Sequence, residues 1–290
     1  MPLPFQPRYV ELEEKGRILI IKFNRPKAMN SMPPAMHVEL AKVFKYFDTT
    51  DDLWVAIVTG NGAAFSAGFD LKTAAGMAPK EDTELDIKTG IELEGPVDGN
   101  GIQGGTGFAG LTERDGIKPV IAAVNGVAHG GGFETALACD IIIASEKANF
   151  ALPEPKVGLF AAAGGVVRLP RMIGYHNAMH LILTGRPVTA PEALRLGICS
   201  QVVPGPQLLA AAEELANQVV ACSPDSIQAS LQTVKRSMAE ETSVLEAVKK
   251  QMKYPAVRRL FKSPNVKEGP TAFAQKRKPN WAAPTPLAKL

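Results

Sequence analysis

Cysteine is scarce in this chain of 290 residues: there are three thiols, and Cys139, Cys199 and Cys222 stand far apart. An odd and scattered set supports neither a disulfide framework nor a zinc site, so a reducing compartment is expected. An excess of one charge is lacking too, since 32 basic and 29 acidic residues leave a net +3 without long blocks of either sign. That balance gives no electrostatic footprint for nucleic acid, and none is expected as a partner. No apolar run reaches the length of a membrane span. Met1-Pro2-Leu3-Pro4-Phe5-Gln6-Pro7-Arg8 also lacks the charged start and apolar centre of a secretory signal. No internal repeat recurs at a fixed period. With 46% hydrophobic residues, the chain can bury a substantial core, as one large domain or one domain with a terminal appendage.

What is present is a run of three glycines inside Val127-Ala128-His129-Gly130-Gly131-Gly132-Phe133-Glu134-Thr135-Ala136-Leu137-Ala138-Cys139-Asp140. Glycine leaves backbone N–H groups unshielded by any Cβ, and the Ala-rich run that follows reads as a buried helix starting there. Amides at a helix N-terminus suit an anion, or an oxygen that becomes negative during a reaction. Glu134 follows within one turn. In an apolar wall, burial would raise its pKa toward the range useful for an acid or a base.

Strands are predicted at Arg17 to Phe23, Trp54 to Thr59, Pro119 to Val124 and Asp140 to Ala144, with an amphipathic helix from Pro34 to Phe47. This alternation argues for an α/β core. The second strand exits into Gly60-Asn61-Gly62-Ala63-Ala64-Phe65-Ser66-Ala67-Gly68-Phe69-Asp70-Leu71, where small residues mark a close backbone approach. Between Lys72 and Lys118 the pattern weakens to a helix at Thr83 to Glu94 and a glycine-dense loop at Gly95 to Gly110, read as an insertion. Gly99 to Gly104 satisfies G-x-G-x-x-G, but no strand precedes it and no helix follows, so it reads as loop. Glu154 sits between Pro153 and Pro155, which stiffen the loop presenting it. Helices are predicted at Tyr175 to Leu183, Ala190 to Leu196, Pro206 to Ala221, Ser226 to Ala239, Val244 to Met252 and Lys267 to Lys276. His176 and His180 lie one turn apart without a third ligand, so no metal is expected. His129 reads as a packing residue, and Lys276-Arg277-Lys278 as a solvated face.

The blocks FSAGFDL (Phe65 to Leu71), PVIAAVNGVAHGGGFETALACD (Pro119 to Asp140) and FALPEPKVGL (Phe150 to Leu159) resemble the enoyl-CoA hydratase/isomerase (crotonase) superfamily. So do AGGVVRLPRMIG (Ala163 to Gly174), LTGRPVTAPEALRLGICSQVV (Leu183 to Val203) and EGPTAFAQKRKPNW (Glu268 to Trp281). The resemblance implies an α/β spiral of ββα units over residues 1–203, carrying the acyl-CoA site. It implies a helical region for oligomerisation and CoA contacts over 204–281, and a tail at 282–290. An acyl-CoA thioester is the implied substrate, with coenzyme A present only as part of it and no separate cofactor. The amides of Phe69 and Gly131 would polarise the thioester carbonyl, and Glu134 and Glu154 would handle the protons of one water molecule. Two facing carboxyls should titrate as a coupled pair with one value raised.

Carried over from the same resemblance, CoA contacts fall to Lys27, Ala28, Ala67, Asp70, Lys72, Phe273 and Lys276, the last two reaching a neighbouring subunit of a homotrimer or hexamer. Phe69 departs from the small residue usual at its position, and the glycine-dense stretch looks longer than usual. The implied reaction is reversible hydration of a 2-enoyl-CoA. The alternatives on the same fold are a Δ3-Δ2-enoyl-CoA isomerase and a thioester hydrolase. The ending Ala288-Lys289-Leu290 is one conservative step from a peroxisomal address, so an import receptor is an expected partner; otherwise the protein is expected in the cytoplasm.

Overall fold

Apolar runs that cannot be covered on one face only become strands buried on both. In the computed structural model, which describes residues 5–74, 106–240 and 243–284, these runs form a six-stranded sheet. Its strands are β1 (Val10–Lys15), β2 (Ile18–Phe23), β3 (Val55–Gly60), β5 (Val120–Val124), β7 (Ile141–Ser145) and β10 (Gln201–Val203), hydrogen-bonded in that order. Only β1 runs antiparallel to its neighbour. Along the strands, side chains alternate between two apolar layers. Leu19, Ile21, Ala56, Val58, Ala122 and Val124 enter the main core, and Ile18, Ile20, Val55, Ile57, Ile121 and Ile143 face the helix Leu208–Val220.

A second, smaller sheet takes β4 (Ala64–Ser66), β6 (Val127–His129), β8 (Asn149–Ala151) and β9 (Val188–Thr189). Three parallel strands of the large sheet are each followed by one of the small sheet and then by a helix. β3 leads to β4 and the Leu71–Ala74 helix, β5 to β6 and the Gly131–Ala138 helix, and β7 to β8 and, later, the Gly165–Ile173 helix. A first, abbreviated turn is completed by Met32, bridged in parallel to Phe69 and followed by the helix Pro34–Thr49. The chain therefore climbs as a spiral of ββα turns. No fixed period shows in the sequence because the turns start unevenly, at Val55, Val120 and Ile141.

The predicted strands and the helices at 131–138, 175–184, 190–196, 208–220, 224–240, 244–251 and 265–274 are present within a few residues of the expected bounds. The helix read over Thr83 to Glu94, the G-x-G-x-x-G segment and the last six residues lie outside the described residues. In the helical region, Asp225 is fully buried and accepts from Arg259 Nε at 2.9 Å, Ser263 Oγ at 2.6 Å and Asn265 Nδ2 at 2.7 Å, which ties three helices together. Among the described residues, no helix is long and apolar enough to cross a membrane.

Candidate active site

Each of the three glycines has its own steric reason. A Cβ on Gly132 would stand 2.1 Å from the Ser66 carbonyl oxygen, so the helix can start directly against β4. A Cβ on Gly131 would lie 2.4 Å from the Phe108 ring, and one on Gly130 would lie 3.0 Å from Glu154 Oε1. The chain leaves β6, turns at Gly130 and opens the Gly131–Ala138 helix. The Gly131 N–H thereby becomes one of the orphan donors every helix N-terminus leaves.

Phe69 reaches the same place from the preceding turn of the spiral. Its parallel bridge to Met32 uses the flanking groups: Met32 N–H donates to the Gly68 carbonyl at 2.8 Å and Asp70 N–H to the Met32 carbonyl at 3.1 Å. The N–H of Phe69 itself therefore points from the opposite edge, the side of β6 and the Gly130 turn. The two backbones are close there, since a Cβ on Gly68 would fall 2.8 Å from the Gly131 nitrogen.

Glu134 lies in the first turn of the helix, buried, and its Oε1 accepts from the N–H of Gly165 at 2.8 Å. Burial pushes its carboxyl up to about 7, and the charge of Glu154 adds to the rise. The amides of Gly165 and Ala163 and the Arg168 guanidinium pull the other way. Glu154 opens the short 3₁₀ turn Glu154–Val157, is half-buried, and is also raised by burial. Its Oε2 is buried without a hydrogen-bond partner among the described residues. The spiral thus brings together two carboxyls, each held in its neutral form more readily than usual, beside two inward amides. Such an arrangement can hold an oxygen that turns negative while moving protons next to it.

A carboxyl whose folded-state value is raised binds its proton more tightly folded than unfolded. Glu134 therefore costs stability as pH climbs from its ordinary 4.5 to about 7, and the cost is absent below that window. The full difference is about 3 kcal/mol. Unfolding free energies measured across this range should show wild type losing stability relative to Glu134→Gln as pH rises, with a constant difference above it. A constant difference throughout would mean that the carboxyl is not perturbed.

The strand-exit loops form one unit. Asn30, fully buried, accepts from Arg25 N–H at 2.8 Å and donates to the Asn61 and Ala64 carbonyls at 3.0 and 2.8 Å. Ala67 N–H donates to Met29 at 2.9 Å. Lys27 is exposed and Ala28 half-buried in the turn Pro26–Ala28, beside Ala67, with Lys72 exposed at the other end of the unit. Asp70, expected among the CoA contacts, has its buried carboxylate occupied: it accepts from Arg25 at 2.9 Å, from the Ser31 hydroxyl at 3.3 Å and from Lys72 N–H at 3.2 Å. Phe273 and Lys276 lie exposed on and just after the Asn265–Ala274 helix. Arg277 of the basic run is not simply solvated, because it donates to both oxygens of Glu268 at 2.6 and 2.9 Å. The His129 ring hydrogen-bonds Asn149 on the neighbouring strand.

Three residues near the site carry no sequence-based prediction. Arg168 donates to the Ala163 carbonyl at 3.2 Å and to the Thr112 carbonyl, joining the segment after Phe108–Gly110 to the loop above Glu134. Phe108 covers Gly131, and His37, fully buried, packs against Phe108. A signal for His37 does exist in the sequence: it shares the apolar stripe of its helix with Leu40, Ala41, Phe44 and Phe47, where a polar side chain is the informative exception.

Fold and site together define an α/β enzyme of crotonase type. The Enoyl-CoA hydratase/isomerase family model matches residues 13–92 and 106–284. The carnitinyl-CoA dehydratase of Proteus mirabilis (strain HI4320) is 41% identical over 280 residues, spanning 94% of this chain and 97% of that protein. The protein of the same name from Salmonella typhi is 42% identical over 281 residues, spanning 94% and 97%. Among solved structures, the enoyl-CoA hydratase from Mycobacterium tuberculosis H37Rv superposes with a TM-score of 0.81 at 38% identity, covering 95% of this chain and 99% of that one. The chain belongs to the enoyl-CoA hydratase/isomerase family. These relatives are bacterial, and bacteria have no peroxisomes, so the comparison lends no support to import through Ala288-Lys289-Leu290.

Proposed function

We propose that the protein is an enoyl-CoA hydratase, equally a 3-hydroxyacyl-CoA dehydratase, catalysing reversible syn addition of water to a 2-enoyl-CoA. The observation that carries this reading is the pairing of Glu134 and Glu154, from different turns of the spiral, beside the Gly131 and Phe69 amides. The thioester oxygen sits between the two amides and takes up enolate charge as water adds to the β-carbon. Glu154 is the main proton shuttle, and Glu134 orients the water and shares its proton. The pair works with one proton between its two carboxyls. A Δ3-Δ2 isomerase needs only one placed carboxyl, and the second argues for water as the partner being held.

The names enoyl-CoA hydratase and carnitinyl-CoA dehydratase, borne by the relatives, describe opposite directions of water transfer. Carnitinyl-CoA and its dehydrated product are therefore substrates to test beside crotonyl-CoA. Lys27, Ala28, Ala67 and Lys72 hold the CoA portion, and coenzyme A is present only as part of the substrate. Exposed Phe273, together with Lys276, reaches the CoA of a neighbouring copy in a homotrimer or hexamer. The strongly exposed Val244 and Leu245 supply apolar surface for that assembly. The test is loss of the enoyl-thioester absorbance of crotonyl-CoA, with free thiol followed in parallel. Reversible loss without thiol release is the expected result. Irreversible thiol release would reassign the protein to hydrolysis.

A further inference from the structure

The aromatic cluster over the amide pair has a polar centre that the proposed reaction does not use. His37 Nδ1 accepts from the N–H of Ala109 at 3.0 Å, which requires that nitrogen to be unprotonated. Burial keeps the ring neutral, its value pushed down to about 4. The ring therefore carries its proton on Nε2, which is buried without a hydrogen-bond partner among the described residues. The ring meets Phe108 with centroids 4.3 Å apart, and it lies parallel to Phe69, 7° between planes and 6.4 Å between centroids.

Those contacts reach both amides. Ala109 takes left-handed backbone at φ 56, and Gly110 after it lies so close to the Pro34–Thr49 helix that a Cβ would stand 2.5 Å from the Ala41 nitrogen. Gripped at His37 and, one turn later, at Ala41, the segment Phe108–Gly110 cannot slide along the helix, so the Phe108 ring stays seated over Gly131. Met32, whose backbone lies beside the His37 ring, forms the bridge that turns the Phe69 N–H inward.

We infer that His37 is a positioning residue for the amide pair: a neutral wedge that fixes the Phe69 segment and the Phe108 cover over Gly131 at one separation. The inference rests on the proposed carbonyl-polarising role of those amides. A phenylalanine at position 37 would fill a similar volume but offer the Ala109 N–H no acceptor. An asparagine would keep an acceptor near the place of Nδ1 and lose the ring that Phe69 and Phe108 pack on. Both changes should alter how well the carbonyl is held more than how tightly CoA binds.

The experiment uses a chromophoric enoyl-CoA, 4-dimethylaminocinnamoyl-CoA, whose absorbance moves to longer wavelength when its carbonyl is polarised. Crotonyl-CoA kinetics are measured on the same samples. For His37→Phe we expect a smaller red shift of the bound probe and a kcat lower by about 10–100-fold with KM within about threefold, the scale of a misplaced reacting group. His37→Asn provides the same reading if the Phe variant does not fold, again with a diminished shift. A folded variant that binds the probe with the full wild-type shift overturns the inference. Wild-type protein that binds the probe with no shift at all instead overturns the proposed carbonyl polarisation on which the inference stands.

Discussion

Glu154→Gln and Glu134→Gln should each slow crotonyl-CoA hydration by about 10²–10⁴-fold, the range that a positioned acid or base contributes. Glutamine keeps the shape of each side chain. In the Glu134→Gln variant the amide oxygen can still accept from the Gly165 N–H, which now meets Oε1 of Glu134 at 2.8 Å, so the helix contact survives. What is lost is a group able to give up or take a proton. At position 154 the loss has a second part, because Oε2 is buried without a partner among the described residues, and an amide nitrogen placed there would be an unsatisfied donor. The double variant should fall little below the worse single one, as for groups that act as one unit. KM should stay near wild type, since neither carboxyl lies in the strand-exit loops assigned to CoA. Steady-state kinetics on the three variants decide the matter, and full activity in either single variant would exclude the shared-water mechanism.

How far the sequence reveals this site follows from element length and burial. Four of the six large-sheet strands are legible because burial on both faces demands continuous apolar runs such as Val120–Val124. The small-sheet strands Ala64–Ser66, Val127–His129 and Asn149–Ala151 are too short to display a period, and one of them ends in a histidine. The helix Gly165–Ile173 escapes notice because it opens on glycine and contains Pro170. Glu134 is visible as a carboxylate one turn into a glycine-led helix. Glu154, flanked by prolines in a loop, gains meaning only from the family resemblance, since nothing local says that its loop folds back to Gly130. Asp70, a CoA contact by the same resemblance, has its carboxylate paired with Arg25, a partner that nothing local in the sequence announces.

Gly68→Ala should reduce kcat by about 10²–10³-fold, as losing one oxyanion donor does, while leaving both carboxyls in place. Gly68 has φ +89, and its added Cβ would lie 2.7 Å from the His129 carbonyl oxygen and 2.8 Å from the Gly131 nitrogen. Both are backbone atoms, so no side-chain rotation relieves the contact. Either the Phe69 segment retreats or the start of the Gly131–Ala138 helix does, and each movement separates the two amides. Strain in left-handed backbone adds about 1–2 kcal/mol of instability, which alone would explain a lower Tm but not a lower kcat. Gly16→Ala separates the two effects: φ is +59, and among the described residues nothing lies within 4 Å of its Cβ. That variant should lose stability by a similar amount and retain its rate. The Gly68 variant should instead lose rate even at temperatures where it is fully folded, and its stability should keep the Glu134-dependent fall between pH 4.5 and about 7. Retention of that fall would show that the carboxyl environment is intact and place the damage at the amides. A folded Gly68→Ala protein with wild-type kcat would mean that the approach of these two backbones is packing alone.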